Sequence, residues 1–382
     1  MKGFKNVNIY VENEGIIKTS LAVEEGKIKA IGNDIDVEEY YEVKNNWIVV
    51  PGFIDQHVHG AAASDAMDGT VEDISKIACA LAKEGTTAFL PTTMTQSPEN
   101  IINALEAIKK YIELNPKTGS KVLGVHLEGP FISPDFIGAQ PLEYVAKPDV
   151  EVFKTYQKAS GDNIRIVSLA PEEEGSKDLI KYLKENNIVA SIGHTNSKCS
   201  DIEQGIKAGL TNVTHTFNAQ KPLHHREIGT VGSALLFDEL NCELICDTIH
   251  VSVPAIKLVI KSKPHDKVTL ITDAMRAKHM PDGDYELGGQ PVIVKNGEAR
   301  LHNGTLAGSV LRMNNAVKNV HQLAGIELTH VLDMASINPA KNLGVHELRG
   351  SIKIGKYADF VVLDENFDVV MTISEGNVIY QR

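Results

Sequence analysis

Side chains that can bind a metal or transfer a proton follow five short apolar runs of this sequence. They occur in His57-Val58-His59, His126-Leu127-Glu128, Gly193-His194-Thr195, Thr214-His215 and Thr272-Asp273-Ala274. Imidazoles and carboxylates are the usual ligands of a divalent metal that keeps one coordination position open for water. Five such groups, each at the downstream end of an apolar run, predict that the runs converge on one metal-dependent hydrolytic centre.

The first group is a pair of histidines, His57 and His59. Because they are two residues apart, their imidazoles point to the same face of a strand and can share a metal. A lone pair of this kind can also be two core histidines. Here Pro51-Gly52 before the pair and Gly60 after it frame the motif tightly, and we interpret the pair as metal ligands.

The next three groups supply Glu128, His194 and His215. Glu128 precedes Gly129-Pro130, a turn that would expose it at the end of its strand, and burying it without a partner would be costly. Each histidine taken alone is more often a hydrogen-bonded structural residue. Taken together, the three form a two-histidine, one-glutamate set with an open position for water.

Asp273, in the last group, can be interpreted in two ways. An aspartate after a strand often caps the following turn. A carboxylate beside activated water can instead accept its proton and return it to a leaving amine. Arg226, on its residue type alone, could be a solvated surface arginine, and Asn218, Ala219 and the 304–308 segment resemble loop backbone that approaches a ligand.

Alternating strands and helices are predicted to position these residues. Eight strand-like runs lie at Phe53–His57, Thr86–Leu90, Lys121–Leu127, Ile164–Leu169, Ile188–Gly193, Thr211–His215, Glu243–Ile249 and Lys267–Thr272. Amphipathic helix patterns separate most of them, including 150–159, 176–185, 200–208 and 253–262. Eight short apolar runs alternating with helices match an α/β fold of the (β/α)8 TIM-barrel type, whose active site lies at the carboxyl ends of the strands.

The two ends of the chain have a different pattern, with short alternating strands and turn residues. We predict a small β-sandwich domain formed by both chain termini, residues 1–52 and 348–382. Residues 53–347 would form the metal-dependent (β/α)8 catalytic domain.

Composition excludes several classes of protein. The 382-residue chain carries a net charge of −12, which argues against nucleic-acid binding, since phosphate contacts need a basic surface. No apolar stretch reaches the ~18 residues of a membrane span, and the first residues lead into no export signal, so we expect a cytoplasmic protein. The four cysteines form no Cys-x-x-Cys pair.

The sequence resembles the N-acetylglucosamine-6-phosphate deacetylases of the amidohydrolase superfamily, nearly from end to end. His-x-His and the strand-end aspartate are shared across much of the superfamily. The Leu-Glu-Gly-Pro segment in His126-Leu127-Glu128-Gly129-Pro130-Phe131 and the His-x-Phe-Asn-Ala segment in Thr214-His215-Thr216-Phe217-Asn218-Ala219 are much more specific to the deacetylases. The resemblance also rests on His224-His225-Arg226-Glu227, Asp247-Thr248-Ile249-His250-Val251 and Leu306-Ala307-Gly308-Ser309.

This resemblance implies one or two divalent metal ions per subunit, Zn²⁺ or Fe²⁺. Glu128, His194 and His215 would hold the principal ion, His57 and His59 could hold a second, and Asp273 would be the general base and acid. The implied substrate-binding residues are Ala139, Gln140, Asn218, Ala219, Arg226, Asp247, His250, Leu306, Ala307 and Gly308. Arg226 would reach in from the neighbouring subunit, which implies a homodimer.

One departure from the family pattern concerns Gln140, where some relatives carry a histidine that polarises the amide carbonyl. The glutamine could still donate a hydrogen bond through its amide. The expected reaction is hydrolysis of the N-acetyl amide of N-acetylglucosamine 6-phosphate to glucosamine 6-phosphate and acetate. Deacetylation of N-acetylgalactosamine 6-phosphate, and the cyclic-amide hydrolases or deaminases of the superfamily, remain the alternatives.

Overall fold

A computed structural model of the chain describes all residues from 1 to 382. The strands are β1 (Lys2–Val11), β2 (Gly15–Glu24), β3 (Lys27–Gly32), β4 (Glu39–Tyr40), β5 (Ile48–Pro51), β6 (Phe53–Val58), β7 (Gly60–Ala61), β8 (Ser64–Asp65), β9 (Thr86–Thr93), β10 (Lys121–Val122), β11 (Val125–Glu128), β12 (Ile164–Leu169), β13 (Val189–Ile192), β14 (Leu210–Val213), β15 (Asn241–Ile245), β16 (Val268–Ile271), β17 (Gly283–Leu287), β18 (Gln290–Lys295), β19 (Glu298–Leu301), β20 (Phe360–Leu363), β21 (Val369–Ser374) and β22 (Asn377–Gln381).

The helices are α1 (Val71–Ala82), α2 (Pro98–Leu114), α3 (Val150–Ala159), α4 (Ser176–Glu185), α5 (Cys199–Ala208), α6 (Gly229–Leu236), α7 (Val253–Ser262), α8 (Met313–Gln322), α9 (Leu328–Ala335) and α10 (Ile337–Asn342). None of them combines the length and the apolar character needed to cross a lipid bilayer.

Parallel strands form a barrel in the order β6-β9-β11-β12-β13-β14-β15-β16, with the short β10 also beside β9. The barrel closes between its last and first strands, where the backbone N–H of Asp273 donates to the carbonyl of His57 at 2.8 Å. The strands are buried on both faces, as in β9, where every residue is buried. The predicted fold class, a (β/α)8 barrel with a small β domain from both termini, is confirmed.

The helices pack their apolar stripes on the outside of this barrel. In α1 the residues Ile74, Ile77 and Leu81 are buried at helical spacing. In α2 the Ser97 side chain accepts from the N–H of Asn100 and caps the helix, and Pro98 occupies its first turn. The barrel and helices share one apolar cluster of 61 buried residues, in which each buried Leu or Ile contributes about 1.5–3 kcal/mol relative to an exposed one.

Strands from both termini form a separate eight-stranded sheet, ordered β22-β21-β20-β5-β1-β2-β3 with β4 beside β1. Its central pairing joins the two ends of the chain, since Val361 of β20 lies opposite Val50 of β5. The sheet has its own core of 16 buried residues. The domain boundaries at 52 and 348 stay a prediction.

Several features differ from the sequence-based expectation. The run expected as one strand at Lys121–Leu127 is divided into β10 and β11. The strand expected at Glu243–Ile249 is β15, Asn241–Ile245, and the chain turns after it because the Asp247 carboxylate accepts from the N–H groups of Ile249 and His250, both at 2.8 Å. A three-stranded antiparallel sheet, β17-β18-β19, follows the last barrel strand. The sequence analysis did not predict this sheet.

Candidate metal centre

Six predicted residues meet at the carboxyl ends of the barrel strands. His57 lies on β6, His59 follows it, and Glu128 ends β11. His194, His215 and Asp273 each stand two residues beyond the end of their strand, after β13, β14 and β16. Because parallel barrel strands all end at the same rim, the chain brings these side chains together.

The backbone is strained where three of these residues turn into the site. His194, His215 and Asp273 have φ values of 50, 29 and 47°, in the left-handed region that residues with a side chain seldom adopt. Such a conformation costs about 1–3 kcal/mol per residue and persists where the surrounding structure enforces it. Three strained residues at one rim therefore indicate a functional site.

Glu128 is the centre of the cluster. Its Oε1 lies 3.2 Å from Nε2 of His194, 3.0 Å from Nε2 of His215 and 3.6 Å from Nε2 of His57. Its Oε2 lies 3.1 Å from Nε2 of His59. The carboxylate thus separates the His194–His215 pair from the His57–His59 pair, and each pair with Glu128 forms a set of ligand atoms close enough to hold one metal ion.

Asp273 faces the His57–His59 side of the cluster. Its Oδ1 lies 3.4 Å from Nε2 of His57 and 3.3 Å from Nε2 of His59. Burial would raise the pKa of Asp273, but the neighbouring His57 and His59 lower it to about 2. Asp273 is therefore ionised at neutral pH and can accept a proton.

The electrostatics of the cluster favour positive charge. Burial would lower the pKa of His59, yet hydrogen bonds to Asp273 and Glu128 raise it to about 10. Burial would likewise raise the pKa of Glu128, but the charge of His57 and hydrogen bonds from His194 and His215 hold it well below its usual value. A divalent cation would supply the positive charge that these two buried carboxylates require.

The imidazoles are also oriented as metal ligands. Nε2 of His57 is buried and has no hydrogen-bond partner. Nδ1 of His59 bonds the Thr92 carbonyl at 3.1 Å and Nδ1 of His194 bonds the Phe136 carbonyl at 3.0 Å, which leaves Nε2 of each to face Glu128. The donor set therefore fits one or two divalent ions.

A third group of close ligand atoms, from His57, His126 and Glu243, lies behind the site. His126 bonds the Gln56 carbonyl through Nδ1 at 3.1 Å and the Ser168 hydroxyl through Nε2 at 2.7 Å. Since both of its nitrogens are used, His126 is not available to a metal.

A cavity of about 360 Å³ opens over the cluster, within the range of small-molecule sites. The residues that line it are His59, Met94, Glu128, Gly138, Ala139, Gln140, His194, His215, Asn218, Ala219, His250, Asp273, Leu287, Thr305, Leu306 and Gly308. Gly138 has a φ of 58°, and a side chain there would meet His194 at 3.3 Å. Most of the residues predicted from sequence therefore surround one cavity.

Four predicted residues do not line this cavity. His57 is fully buried beneath it. Asp247 lies behind His250, to which its Oδ2 bonds at 2.6 Å on Nδ1. Ala307 is fully buried, and Arg226 is exposed on the surface.

Gln140 lines the cavity, but its amide group is already engaged. Its Nε2 donates to Oε2 of Glu128 at 3.0 Å, and its Oε1 accepts from the Thr95 N–H at 2.8 Å. The glutamine thus orients the Glu128 carboxylate through Nε2, which carries two N–H donors. The hydrogen bond from Gln140 to a substrate stays a prediction.

Sequence analysis missed Met94, Leu287 and Glu243, whereas Thr305 lies in the 304–308 segment that it singled out. Leu287 belongs to β17, in the sheet that the sequence analysis did not predict. Met94 directly follows the buried β9 and Glu243 lies within β15, so only the pairing of the strands shows which way their side chains point. Nothing in their local sequence marks them.

Comparison with known proteins places these features in context. A model of the amidohydrolase family matches residues 48–379. An N-acetylglucosamine-6-phosphate deacetylase of Bacillus subtilis is 40% identical, over 98% of this chain and 96% of its own length. An N-acetylgalactosamine-6-phosphate deacetylase of Escherichia coli O157:H7 is 37% identical over 87% of each chain. A crystal structure of the N-acetylglucosamine-6-phosphate deacetylase of Thermotoga maritima superposes with a TM-score of 0.90, at 36% identity and over 100% of both chains.

Proposed function

This chain belongs to the amidohydrolase family, and we propose that it hydrolyses the N-acetyl amide of N-acetylglucosamine 6-phosphate to glucosamine 6-phosphate and acetate. The observation that carries the proposal is the convergence of Glu128, two pairs of histidines and Asp273 on one cavity. The substrate follows from the similarity, over nearly the whole chain, to deacetylases of that sugar phosphate.

Glu128, His194 and His215 would hold the principal metal ion, and His57 and His59, with Glu128, would hold a second. Histidine and carboxylate ligands suit Zn²⁺ and Fe²⁺ alike. When bound, a divalent metal polarises the amide carbonyl and lowers the pKa of water from 15.7 towards roughly 7.

Asp273 would transfer the proton in this reaction. As a buried carboxylate that is ionised at neutral pH, it accepts a proton from the attacking water while the C–O bond forms at the acetyl carbon. It then returns that proton to the glucosamine nitrogen as the C–N bond breaks. The neutral amine and acetic acid result, and the acid gives up the second proton of the water to solvent and leaves as acetate.

The remaining lining residues would bind the sugar phosphate. Leu306 and Gly308 line the cavity and would contact the acetyl group, with Ala307 buried behind them. Ala139, Asn218 and Ala219 would contact the sugar. His250 also lines the cavity, and because its Nδ1 is held by Asp247, its Nε2 is the nitrogen available to the phosphate. Asp247 would therefore position His250 rather than touch the substrate.

Arg226 would complete the phosphate site of a neighbouring subunit. In its own chain it is exposed, and its guanidinium contacts only the adjacent His225, with Nη1 2.9 Å from Nε2. Two exposed leucines lie near it in sequence, Leu223 in the same loop at 53% and Leu236 at the end of the following helix α6 at 61%. Apolar side chains of this kind suit a subunit interface, which supports a homodimer.

The proposal is tested by measuring acetate release from purified, metal-loaded protein. N-acetylglucosamine 6-phosphate, N-acetylgalactosamine 6-phosphate and unphosphorylated N-acetylglucosamine are supplied in parallel, each with and without a chelator. We expect release chiefly from N-acetylglucosamine 6-phosphate, abolished by chelation. Preferential release from the galacto isomer would reassign the sugar, and release from none of the three would reject the deacetylase assignment.

A further inference from the structure

Glu243 is a buried carboxylate that the proposed reaction does not use. It lies on β15 in the barrel interior, with none of its side chain exposed. Its only ion-pair partner is His57, whose Nδ1 lies 3.1 Å from Oε2. Because a buried carboxylate is costly unless it is paired and hydrogen-bonded, this contact needs an explanation.

The other partners of Glu243 are all hydrogen-bond donors. Oε1 accepts from Nε2 of Gln56 at 2.6 Å and from Nδ2 of Asn212 at 3.3 Å, while Oε2 accepts from the backbone N–H of His215 at 3.3 Å. The amide oxygens of Gln56 and Asn212 accept from Asn342 and Asn241, so their nitrogens point at Glu243. A group surrounded by donors is an ionised acceptor, so Oε2 of Glu243 accepts a hydrogen bond from Nδ1–H of His57.

This contact determines the tautomer of His57. With the proton on Nδ1, the lone pair is on Nε2, the atom that faces Glu128 and Asp273 and has no hydrogen-bond partner of its own. A carboxylate behind a histidine also makes the imidazole a stronger ligand.

His57 is the only candidate ligand with such a carboxylate behind it. His59 and His194 bond backbone carbonyls through Nδ1, and Nδ1 of His215 has no partner. The two metal positions therefore differ in their surroundings, because only the His57–His59 position has a negative charge on its far side.

We propose that Glu243 is a positioning residue that holds His57 as the Nδ1–H tautomer and thereby sets the affinity of the His57–His59 metal position. The inference rests on the metal centre proposed above. It assigns Glu243 no contact with the substrate. It also makes the affinities of the two positions separately adjustable, since Glu243 touches His57 through its imidazole but His215 only through its backbone.

The test is metal binding by the full-length E243Q variant. Apo protein is titrated with Zn²⁺ against a competing chelator to measure affinity. The number of bound metal ions per subunit is measured by elemental mass spectrometry. Relative to wild type, E243Q should bind the His57–His59 ion ~10- to 100-fold more weakly and keep the other ion. The matched control is D359N, which neutralises a buried carboxylate paired with Arg349 in the terminal sheet and should bind like wild type.

The H59A variant separates the effects of E243Q on the two metal positions. In H59A the His57–His59 position is already damaged, so adding E243Q should leave the affinity of the remaining ion unchanged. E243Q protein with wild-type stoichiometry and affinities would overturn the inference. Wild-type protein that binds no metal would instead overturn the proposed metal centre.

A measurement on the wild-type chain covers the case in which E243Q fails to fold. Selective ¹⁵N labelling of histidine reports the tautomer of each imidazole, with the His57 signal assigned by its loss in H57N. We expect His57 of the Zn²⁺-loaded protein to carry a single proton, on Nδ1. A proton on Nε2 would contradict the role of Glu243.

Discussion

Among single residues, Glu128 has the most contacts with the other members of the site. One oxygen faces His194 and His215, the other faces His59, and Gln140 fixes the plane of the carboxylate. A carboxylate held in this way keeps the two histidine pairs at a set separation. In the proposed reaction, Asp273 and not Glu128 transfers the proton.

At this scale we predict that Asp273→Asn lowers kcat by ~100- to 10,000-fold, because the asparagine cannot accept the proton of the attacking water. Metal content should stay normal, since Glu128 and the four histidines are unchanged. Steady-state kinetics and metal analysis measure both quantities. Asp266→Asn, which alters an exposed aspartate outside the cavity, serves as the control. Near-native turnover by the Asp273 variant would show that Asp273 does not transfer the proton.

Among the elements, the three-stranded sheet β17-β18-β19 acts as a wall of the cavity. Gln290 at the start of β18 donates through Nε2 to the Ala139 carbonyl at 2.6 Å, and Gln96 donates to the Gly288 carbonyl at 3.4 Å. These bonds fasten the sheet to two barrel loops and place Leu287 over the site.

We therefore predict that Gln290→Ala raises KM about five-fold, since one lost hydrogen bond is worth about 1 kcal/mol, with a smaller effect on kcat. The kinetics of Gln322→Ala, an exposed glutamine on α8, should match wild type. A Gln290 variant with unchanged KM would show that the sheet holds its place without this bond.

A buried ion pair links a loop after β16 to the segment before β9. Nζ of Lys278 lies 2.7 Å from Oε1 of Glu84, and both side chains are fully buried. We predict that Lys278→Met lowers the free energy of unfolding by about 3–5 kcal/mol, because it leaves Glu84 buried without its partner. Urea denaturation should show partial recovery in Lys278→Met combined with Glu84→Gln.

The Lys278–Glu84 ion pair also predicts that the free energy of unfolding depends on pH. Burial would raise the pKa of Glu84, but Lys278 and His279 hold it below its ordinary value of 4.5. The stabilisation is therefore present above about pH 4.5 and is lost as the pH falls through the lower folded-state pKa. Unfolding free energies measured from pH 7 to about 3.5 should fall less steeply for the double variant; parallel profiles would contradict this.

Regular elements were the most predictable part of the structure. The helices α3, α4 and α7 begin and end where their apolar spacing predicts, because their stripes face a single barrel surface. The sheet β17-β18-β19 was not predicted because its strands do not show a clear alternation of polar and apolar residues. The apolar Ile293 of β18 is exposed, as is Glu286 of β17. The role of Glu243 was not predicted because it depends on the closed barrel, which brings Glu243 of β15 beside His57 of β6.

At the scale of the whole molecule, the proposed phosphate site needs Arg226 from a partner subunit. Exchange of subunits between two inactive variants can therefore test this arrangement. We predict that Arg226→Ala and Asp273→Asn are each inactive but recover activity when mixed. Random pairing makes half of the dimers mixed, and each mixed dimer has one intact site of two, so about a quarter of native activity should return. No recovery after verified exchange would place Arg226 in its own subunit's site or outside the reaction.

The terminal sheet has a consequence for how this protein is made. Its central strands β5 and β20 come from opposite ends of the chain, so the edge of β5 that faces β20 can pair only after the ribosome has synthesised nearly all of the sequence. Until then β5 has an unpaired edge next to a barrel that is free to form first. Completion of the sheet is thus a late, post-translational step, and the long sequence separation of its contacts should make that step slow. Newly synthesised chains would be most vulnerable to aggregation and to proteases during this interval.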